Sequence, residues 1–453
     1  MHHHPHRNER TAKTVLVGAL ARASFVAAAG LSLGGPAAAV DFGPFSLTGF
    51  AKVDVTRVSS YCPLKDCQVE KFAGRHFIWS DALVQGVGYG AATVNVWQFQ
   101  PYLGAKFDLP RGFKLSGLLS QRWRDGKEDF EGFLYDRSVA ISHEDYGSLR
   151  IGAMPTRAWS WADFPFGSDI GIGDPWSSSG AGYGLLTRAA RYTSRLFDVA
   201  EGDLVVEATY DIGKSGWKKN KPRFWELWLQ YRRGGDLDLD VMFQEGKNGG
   251  PAAFGKAPFT SLFYDAQFDK DLGGSSQGIA MIMARYRVDP KLELSGGLRA
   301  NRWSGAYAKF LQSKTVNPAG FDIWNNPFNV DWSQDLGGGV YKGYSARSVD
   351  VVLGVRYKIM PKLAAYTGMV YLGKASTGNP TERGQSNWAA YNTLGLAYDY
   401  GHGLKLDGSV GMANFGRRGL APLSMGSHQS YFNIDSRLEK RGNWVGVSAT
   451  YVF

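Results

Sequence analysis

Apolar and polar residues alternate with a period of two along most of the chain, and the C-terminal segment shows this most clearly. Within residues 443–453 one parity carries Val445, Val447, Ala449, Tyr451 and Phe453, whereas the other carries Gly446, Ser448 and Thr450. Such alternation is typical of a strand with two different faces. In hydrocarbon a sheet must close on itself, because an open edge leaves N–H and C=O groups unpaired. The pattern therefore predicts a transmembrane β-barrel.

The same period recurs along the chain in about sixteen segments, each of which we predict to be one strand. The predicted strands are 46–58, 97–109, 113–124, 134–142, 148–156, 187–197, 203–212, 223–232, 236–245, 278–288, 291–303, 348–358, 362–372, 388–400, 404–413 and 443–453. The fold class is thus all-β, an antiparallel barrel in which the first strand closes against the last. A barrel of this size leaves an aqueous channel, whereas eight strands enclose only side chains.

The connections between the predicted strands alternate in length. Tight turns rich in Gly, Pro or Asp are predicted at 109–112, 144–147, 233–235, 289–290, 360–361 and 401–403. Long polar loops lie between them. Short periplasmic turns and long extracellular loops are the expected asymmetry of outer-membrane barrels. The 58 glycines and the aromatic content of 14% also fit one large β domain better than several soluble ones.

The N-terminal segment has the features of an export signal. Three basic residues precede an apolar stretch, and three alanines then provide a cleavage site. We predict that residues 1–39 are a cleaved signal peptide and that residues 40–453 form the barrel domain. A transmembrane anchor is the alternative, but Arg22 interrupts the apolar stretch. The residues that define the signal are Arg7, Arg10, Lys13, Ala37, Ala38 and Ala39.

The two cysteines, Cys62 and Cys67, lie close together in a polar segment. Because an exported chain passes through an oxidising compartment, a disulfide between them within one loop is the favoured interpretation. Metal binding is the alternative, but two cysteines without nearby partners make a poor metal site. No metal and no cofactor are predicted.

The chain is basic, with a net charge of +10. Lys or Arg facing lipid at mid-depth costs roughly 2–4 kcal/mol, so the excess is expected in the lumen and loops. The positive residues are spread singly, without the basic cluster of a nucleic-acid-binding module. They therefore predict an anion-attracting pore wall rather than binding of nucleic acid. The predicted wall residues are Lys52, Arg122, Arg124, Arg150, Arg191, Arg299 and Arg356.

Opposite charges are predicted on the connection after the fifth strand, about residues 158–186, which is rich in glycine. A long loop of this composition can fold into the lumen, where its acids would face the arginines of the wall. The transverse field at such a narrowing favours polar solutes, because an apolar solute must displace ordered water. The alternative is a loop that caps the barrel outside. The acids concerned are Asp163, Asp169 and Asp174.

The chain resembles the general trimeric porins of Gram-negative outer membranes, particularly those of β-proteobacteria. The resemblance rests on the signal peptide and on four segments. It implies a homotrimer in the cell outer membrane, a constriction loop after the fifth strand, and passive diffusion of small hydrophilic solutes. It also implies contacts with outer-membrane lipid and lipopolysaccharide, and recognition of the C-terminal strand, with Tyr451 and Phe453, by the barrel-assembly machinery. The segments are Phe45–Phe50, Gly147–Gly152, Arg188–Ser194 and Tyr451–Phe453.

The chain departs from a minimal porin in its cysteine loop, its length and an aromatic-rich stretch at 159–166. These departures leave a substrate-selective porin as an alternative, in which the aromatic residues stack on a sugar ring or a similar flat face. The aromatic residues are Trp159, Trp161, Phe164 and Phe166. A structural or adhesive barrel is a third interpretation, which would require a plugged lumen.

An enzymatic barrel is not favoured. After the signal peptide four histidines remain, and no serine lies in a nucleophile-elbow motif. The acidic run 236–240 resembles a calcium site, but alternation predicts Asp238 and Asp240 on one lumen face, and an EF-hand's glycine and distal Glu are missing. Aromatic residues near strand ends are predicted either in interfacial girdles or at subunit contacts. They are Trp97, Trp123, Tyr286, Trp303, Tyr357, Tyr400 and Tyr451.

Overall fold

The computed structural model shows a closed antiparallel barrel of sixteen strands, as the sequence predicts. Every predicted strand is present, with ends shifted by a few residues. The structure describes residues 40–59, 91–124, 127–128, 136–161, 176, 179–181, 185–211, 223–247, 276–304, 307–308, 328, 330–335, 340–417, 422–424 and 440–453. The predicted signal peptide and both cysteines, Cys62 and Cys67, lie outside these residues.

Each barrel strand pairs with its neighbours along the chain, and a short helix, α1, follows the fifth strand. The first eight strands are β1 (Phe45–Val58), β2 (Ala92–Asp108), β3 (Lys114–Ser120), β4 (Asp136–His143), β5 (Gly147–Pro155), β6 (Leu185–Thr193), β7 (Gly202–Asp211) and β8 (Arg223–Arg233). The others are β9 (Leu237–Lys247), β10 (Ser276–Arg287), β11 (Leu292–Ser304), β12 (Ala346–Met360), β13 (Leu363–Leu372), β14 (Ala389–Gly401), β15 (Leu404–Phe415) and β16 (Arg441–Val452). Helix α1 spans Arg157–Trp161.

Shorter strands extend or flank the barrel. Residues Val40–Phe42 fold back on the start of β1, and Phe197–Val199 pair with the start of β7. Beyond the end of β3, Trp123–Arg124 continue the pairing with β2. None of the described helices is long and apolar enough to cross a membrane.

The barrel closes between β1 and β16, where Val53 lies opposite Ala449. Beyond β16 the terminal residue continues the ladder, since the Gly49 N–H donates to the Phe453 carbonyl at 2.8 Å and the Phe453 N–H donates to the Gly49 carbonyl at 3.0 Å. A Cβ at Gly49 would lie 2.7 Å from the Phe453 ring. The glycine therefore provides the space for the aromatic C-terminal residue, which also stacks on Phe99 with centroids 6.0 Å apart.

The two ends of the barrel differ as predicted. The end at which β2 meets β3 and β14 meets β15 has short connections, and we call it the turn end. The opposite end, where β1 leads to β2 and β5 to β6, has the long connections, and we call it the loop end. Since the chain enters β1 and leaves β16 at the turn end, both termini of the barrel lie on that side.

The alternation in the sequence corresponds to the two faces of the wall. Outward positions are apolar and exposed, for example Val53 at 50%, Leu298 at 52% and Val447 at 61%. Inward positions are largely polar or charged. Four of the predicted girdle aromatics are exposed on the outer face near the turn end, at Tyr286, Tyr357, Tyr400 and Tyr451.

The prediction for Trp303 is wrong. This side chain is fully buried inside the barrel, because position 303 shares its parity with the inward residues Arg299 and Asn301. The outward positions of β11 are the even ones, including Leu298. An aromatic residue near a strand end therefore belongs to a girdle only when its parity is outward.

The inner wall is packed by flat side chains that lie over glycines. The hydroxyl of Tyr366 on β13 donates to the Asp407 carboxylate on β15 at 2.7 Å, so the side chain crosses the intervening strand β14. It crosses at Gly395, where a Cβ would lie 2.2 Å from the Tyr366 ring. The absence of a side chain at this position is therefore required for the contact.

Replacing Gly395 with alanine is expected to destabilise the barrel by about 1–3 kcal/mol, the usual cost of overpacking. The Tyr366 ring would be displaced and its bond to Asp407 lost. Urea titration of the folded protein in micelles measures the effect. The matched control is Gly117→Ala, because a Cβ there meets only the Ser138 carbonyl at 4.0 Å. Equal losses in the two variants would contradict the steric explanation.

Candidate pore constriction

The connection after β5 enters the lumen and contacts the inner wall at two places. Helix α1 at its start packs against β7 and β8. Residues Trp176 and Ser179–Ala181 pack against β10 and β11. The predicted constriction-loop acids, Asp163, Asp169 and Asp174, lie outside the described residues.

The first contact is formed by two buried glutamates of the wall. Arg157, the first residue of α1, donates to the Glu207 carboxylate through Nε at 2.6 Å and Nη2 at 2.8 Å. Glu226 accepts the backbone N–H of Arg157 at 2.9 Å and that of Ala158 at 3.3 Å. A carboxylate is favourable at this position, since the first N–H groups of a helix have no partner within it. The wall thus fixes both the side chain and the backbone at the start of the loop.

Arg191 on β6 lies between the same two glutamates. Its Nε is 3.2 Å from Glu207 and its Nη2 is 3.4 Å from Glu226, and its side chain is only 1% exposed. Arg150 on β5 is directly opposite Arg191 in the register. Two like charges in this position repel each other, and Arg150 is neutralised on its other side by Asp136, at 2.8 Å. Each of these two wall arginines therefore has a carboxylate on a neighbouring strand, Asp136 on β4 for Arg150 and Glu207 on β7 for Arg191.

Aromatic and cationic side chains extend the first contact. Trp161 at the end of α1 packs against Trp228 on β8, with centroids 5.1 Å apart. The Arg157 guanidinium lies over Trp228 at 4.9 Å, and that of Arg232 lies over Trp161 at 5.5 Å. Arg–Trp stacking of this kind adds about 0.5–2 kcal/mol per contact, depending on desolvation. Helix α1 is therefore held by both ionic and aromatic contacts.

The second contact centres on Arg299 of β11. Its guanidinium donates to the Asp350 carboxylate at 3.0 Å, to the Trp176 carbonyl at 2.7 Å and to the Ser179 hydroxyl. The same group lies over the Trp176 ring at 4.5 Å. Arg299 and Asp350 are 2% and 0% exposed. A wall arginine thus binds the backbone of the inserted connection.

The connection between β15 and β16 reaches the same place. The Ser424 hydroxyl is 2.8 Å from both Asp350 oxygens, and the Ser424 carbonyl accepts the Gly180 N–H at 2.7 Å. Gly180 has a φ of +81°, and a Cβ there would lie 2.5 Å from Arg299 Nε. The glycine therefore permits the close approach of the backbone to Arg299. Two loops and the wall meet at Asp350.

A third network lies on the inner wall near the turn end. Asp238 pairs with Arg285 at 2.7 Å and with Arg287 at 3.0 Å. Asp240 accepts from Arg232 at 3.0 Å and from the Trp228 indole at 2.9 Å. The prediction that Asp238 and Asp240 share one inward face is confirmed. Within the described part of the chain no cluster of His, Cys, Asp or Glu could hold a metal ion.

The structure places most of the predicted wall residues on the inner face, but in different settings. Lys52 pairs with Asp54 at 3.1 Å, and Arg122 donates to Gln98 at 3.3 Å. Arg356 is part-buried on the inward parity of β12. For Arg124 the structure describes the backbone but not the side chain. The seven predicted residues therefore do not form one cluster: Arg150 and Arg191 belong to the first contact, and Arg299 to the second.

Sequence reasoning missed the acids of the wall itself. The partners of the buried arginines are Asp136, Glu207, Glu226 and Asp350, all on barrel strands. The signal was present, since each acid lies on the inward parity of a predicted strand. The pairing requires the register between strands, which periodicity alone does not supply.

A scan against protein-family models finds no match, and no curated protein matches in sequence. Among solved structures, the chain is similar to the anion-selective porin from Comamonas acidovorans, with 12% identity, a TM-score of 0.55, and coverage of 90% of this chain and 99% of that one. OmpT of Vibrio cholerae gives 9% identity, a TM-score of 0.51, and coverage of 92% and 100%.

The outer-membrane channel DcaP of Acinetobacter baumannii gives 13% identity, a TM-score of 0.51, and coverage of 90% of this chain and 97% of that one. At these identities the likeness concerns the fold. It extends over nearly the whole length of each protein, and it agrees with the strand count and the closure between β1 and β16. The chain therefore has the sixteen-stranded barrel fold of the outer-membrane porins.

Proposed function

We propose that the protein is an outer-membrane porin that forms a passive aqueous channel for small hydrophilic solutes and ions. The observation that carries the proposal is the inner wall, which is closed by sixteen strands and whose charged side chains bind the described parts of the connection after β5. A wall of that circumference is too wide for its own side chains to fill. Charged groups around a narrowing hold ordered water, which polar solutes replace more readily than apolar ones.

We further propose a mild anion preference. Its support is the net charge of residues 40–453, which is +7 because residues 1–39 contribute +3 of the total +10, together with the arginines and lysines of the inner wall. The pairing of Arg150, Arg191 and Arg299 with carboxylates keeps the preference weak, because an ion passing the wall meets neutralised pairs. Lys52, Arg150 and Arg356 are part-buried rather than buried, and the Lys52 side chain is 35% exposed against 11% for Arg150.

A substrate-selective porin is the second candidate. The observation that favours it is Trp161, which is only part-buried inside the barrel and lies beside the Arg232 guanidinium. An aromatic face next to a cation is suited to a flat polar solute such as a sugar or a small organic anion. In this case one solute class would pass faster than its size predicts, and Trp161→Ala would remove that advantage.

Swelling of liposomes that contain the refolded protein distinguishes the two candidates. A general porin is expected to admit neutral sugars at rates that fall smoothly with molecular size. A selective porin would show one solute class above this curve. No swelling from demonstrably folded barrels would contradict both and support the structural or adhesive barrel.

Replacing wall arginines with glutamate is expected to lower the anion preference. Arg122→Glu should shift the reversal potential in a KCl gradient toward cation selectivity. Arg150→Glu should do the same and also destabilise the protein, since it places a second carboxylate beside Asp136. The matched control is Arg233→Glu, an outward residue at the turn end. Unchanged selectivity in both wall variants would remove Arg122 and Arg150 from the pore lining.

We propose that residues 1–39 direct export of the chain and are then removed, and that the mature protein assembles as a homotrimer in the outer membrane. One structure of Vibrio cholerae OmpT is described as a trimer form. The last strand, with Tyr451 and Phe453, is proposed as the signal for the barrel-assembly machinery, because β16 closes the barrel onto β1. We do not propose an enzymatic function for the barrel. Mass measurement of the mature protein in micelles tests both the cleavage site and the subunit number.

A further inference from the structure

Two lysines face each other on the inner wall at the closure seam, where β15, β16 and β1 meet. Lys52 on β1 and Lys405 on β15 both lie opposite Thr450 of β16 in the register. Because neighbouring strands are spaced about 4.8 Å apart, the Cα atoms of the two lysines are about 10 Å apart. All three residues are part-buried on the lumen face. We call them the lysine row.

Two aspartates form a matching row one step further toward the loop end. Asp54 on β1 and Asp407 on β15 both lie opposite Ser448 of β16, and we call these three residues the aspartate row. Two residues along a strand span about 7 Å, which is therefore the distance between the two rows. The central residue of each row is small, so the four charged side chains border an open strip of wall.

The closure seam is more open to the lumen than the wall that binds the inserted connection. The side chains of Lys52 and Asp54 are 35% and 22% exposed, and Ser448 and Asp407 are part-buried. The wall residues that hold the connection after β5 are at most 2% exposed, namely Arg191, Glu207, Glu226, Arg299 and Asp350. Solutes in the lumen can therefore reach both rows of the seam.

The charges of the seam lie beside opposite charges of the wall. Lys52 Nζ is 3.1 Å from the Asp54 carboxylate, and Lys405 lies opposite Asp399 of β14 in the register. An ion of one sign that binds to one row competes for these partners and leaves charges of the other sign without one, which is unfavourable. A solute that carries both charges replaces each partner with another of the same sign, so that every charge of the wall stays paired.

We propose that the closure seam binds zwitterionic solutes, with the carboxylate of the solute at the lysine row and its ammonium group at the aspartate row. A dipeptide fits the two rows, because two residues of extended chain span about 7 Å. The charges of a single amino acid are too close together to reach both rows. Ion pairs that are partly exposed are weak, as passage requires, since a solute must enter the site and leave it again. The inference rests on the proposed channel function and assigns a solute class to it.

Liposome swelling with two net-neutral solutes of similar size, glycylglycine and N-propionylglycinamide, tests the proposal. Only glycylglycine is a zwitterion, and the ratio of the two rates within each variant corrects for changes in pore width. The test variant is Asp54→Asn, Asp407→Asn, which removes both charges of the aspartate row and keeps an acceptor for the Tyr366 hydroxyl. The matched control is Glu293→Gln, since Glu293 is an inward carboxylate that is 21% exposed, against 22% for Asp54. Heat-modifiable migration on gels verifies that each variant is folded.

In wild type and in Glu293→Gln, glycylglycine is expected to enter about threefold faster than N-propionylglycinamide, the effect of two weak ion pairs. In the double variant the two rates should be equal. Equal rates in wild type, or an advantage that persists in the double variant, would overturn the inference and leave the channel function intact. Entry of neither solute through folded barrels would contradict the channel function and, with it, this inference.

The spacing of the two rows is tested with glycine and propionamide, which are also net-neutral and of similar size. Because the charges of glycine are too close together to reach both rows, glycine is expected to enter no faster than propionamide. An advantage for glycine as large as that for glycylglycine would overturn the proposed arrangement of the solute across the two rows.

Discussion

Replacing Asp350 with alanine is expected to destabilise the protein by about 3–5 kcal/mol, the usual cost of leaving one partner of a buried ion pair alone. Asp350 neutralises Arg299 and accepts from Ser424 and from the Gly373 N–H at 3.0 Å. Its loss should also free the segments around Trp176 and Ser424 from the wall. We therefore expect a larger and noisier single-channel conductance, measured alongside unfolding in urea.

A second variant separates the effect on stability from the effect on conductance. The double replacement Arg299→Met, Asp350→Leu removes both charges, and replacing a buried pair with apolar residues is often neutral. It should regain most of the stability lost in Asp350→Ala. It cannot restore the bond from Arg299 to the Trp176 carbonyl, so the conductance should remain raised. Normal conductance in the double variant would show that this contact does not position the loop.

Glu207→Ala is expected to have an effect of similar size, about 3–5 kcal/mol, and to shift selectivity toward anions. Glu207 lies between Arg157 at 2.6 Å and Arg191 at 3.2 Å. Without it, two buried guanidinium groups share the single carboxylate of Glu226. Helix α1 should then separate from the wall, with more positive charge exposed in the lumen. Urea unfolding and the reversal potential in a KCl gradient measure the two effects.

The matched control for Glu207 is Glu293→Ala. Glu293 also pairs with two arginines of the inner wall, Arg285 and Arg287, but it is 21% exposed against 1% for Glu207. Because water screens the partly exposed group, its loss should cost less than about 1 kcal/mol. It lies near the turn end, away from α1, so selectivity should change little. Equal losses of stability in Glu207→Ala and Glu293→Ala would contradict the conclusion that burial determines the strength of these ion pairs.

The fold could be predicted from the sequence because apolar and polar residues alternate along a membrane strand. Segments such as 443–453 have one apolar and one polar face, and only closure satisfies such strands in lipid. The predicted ends of the strands were less accurate, since the alternation of apolar and polar residues is less strict near the rims of the barrel. The error at Trp303 has the same origin. The aromatic side chain of Trp303 and its place near a strand end indicated a girdle position. Its parity, however, is that of Arg299 and Asn301, which places it inside the barrel.

The site was predicted only in part. Parity identified Arg150, Arg191 and Arg299 as inward residues. It could not identify their partners, because Glu207, Glu226 and Asp350 reach them across strands distant in sequence, and the register decides which pairs meet. The role of Ser424 depends on a loop that returns to the wall, for which periodicity offers no signal. The loop acids Asp163, Asp169 and Asp174 remain predictions.

The central claim is that the closed barrel conducts. Single-channel recording of the refolded protein in a planar bilayer under a KCl gradient tests it most directly. We expect steady ohmic steps, grouped in threes for a homotrimer, with a reversal potential that indicates weak anion preference. Protein that is demonstrably folded and inserted, yet shows no conductance, would contradict the account.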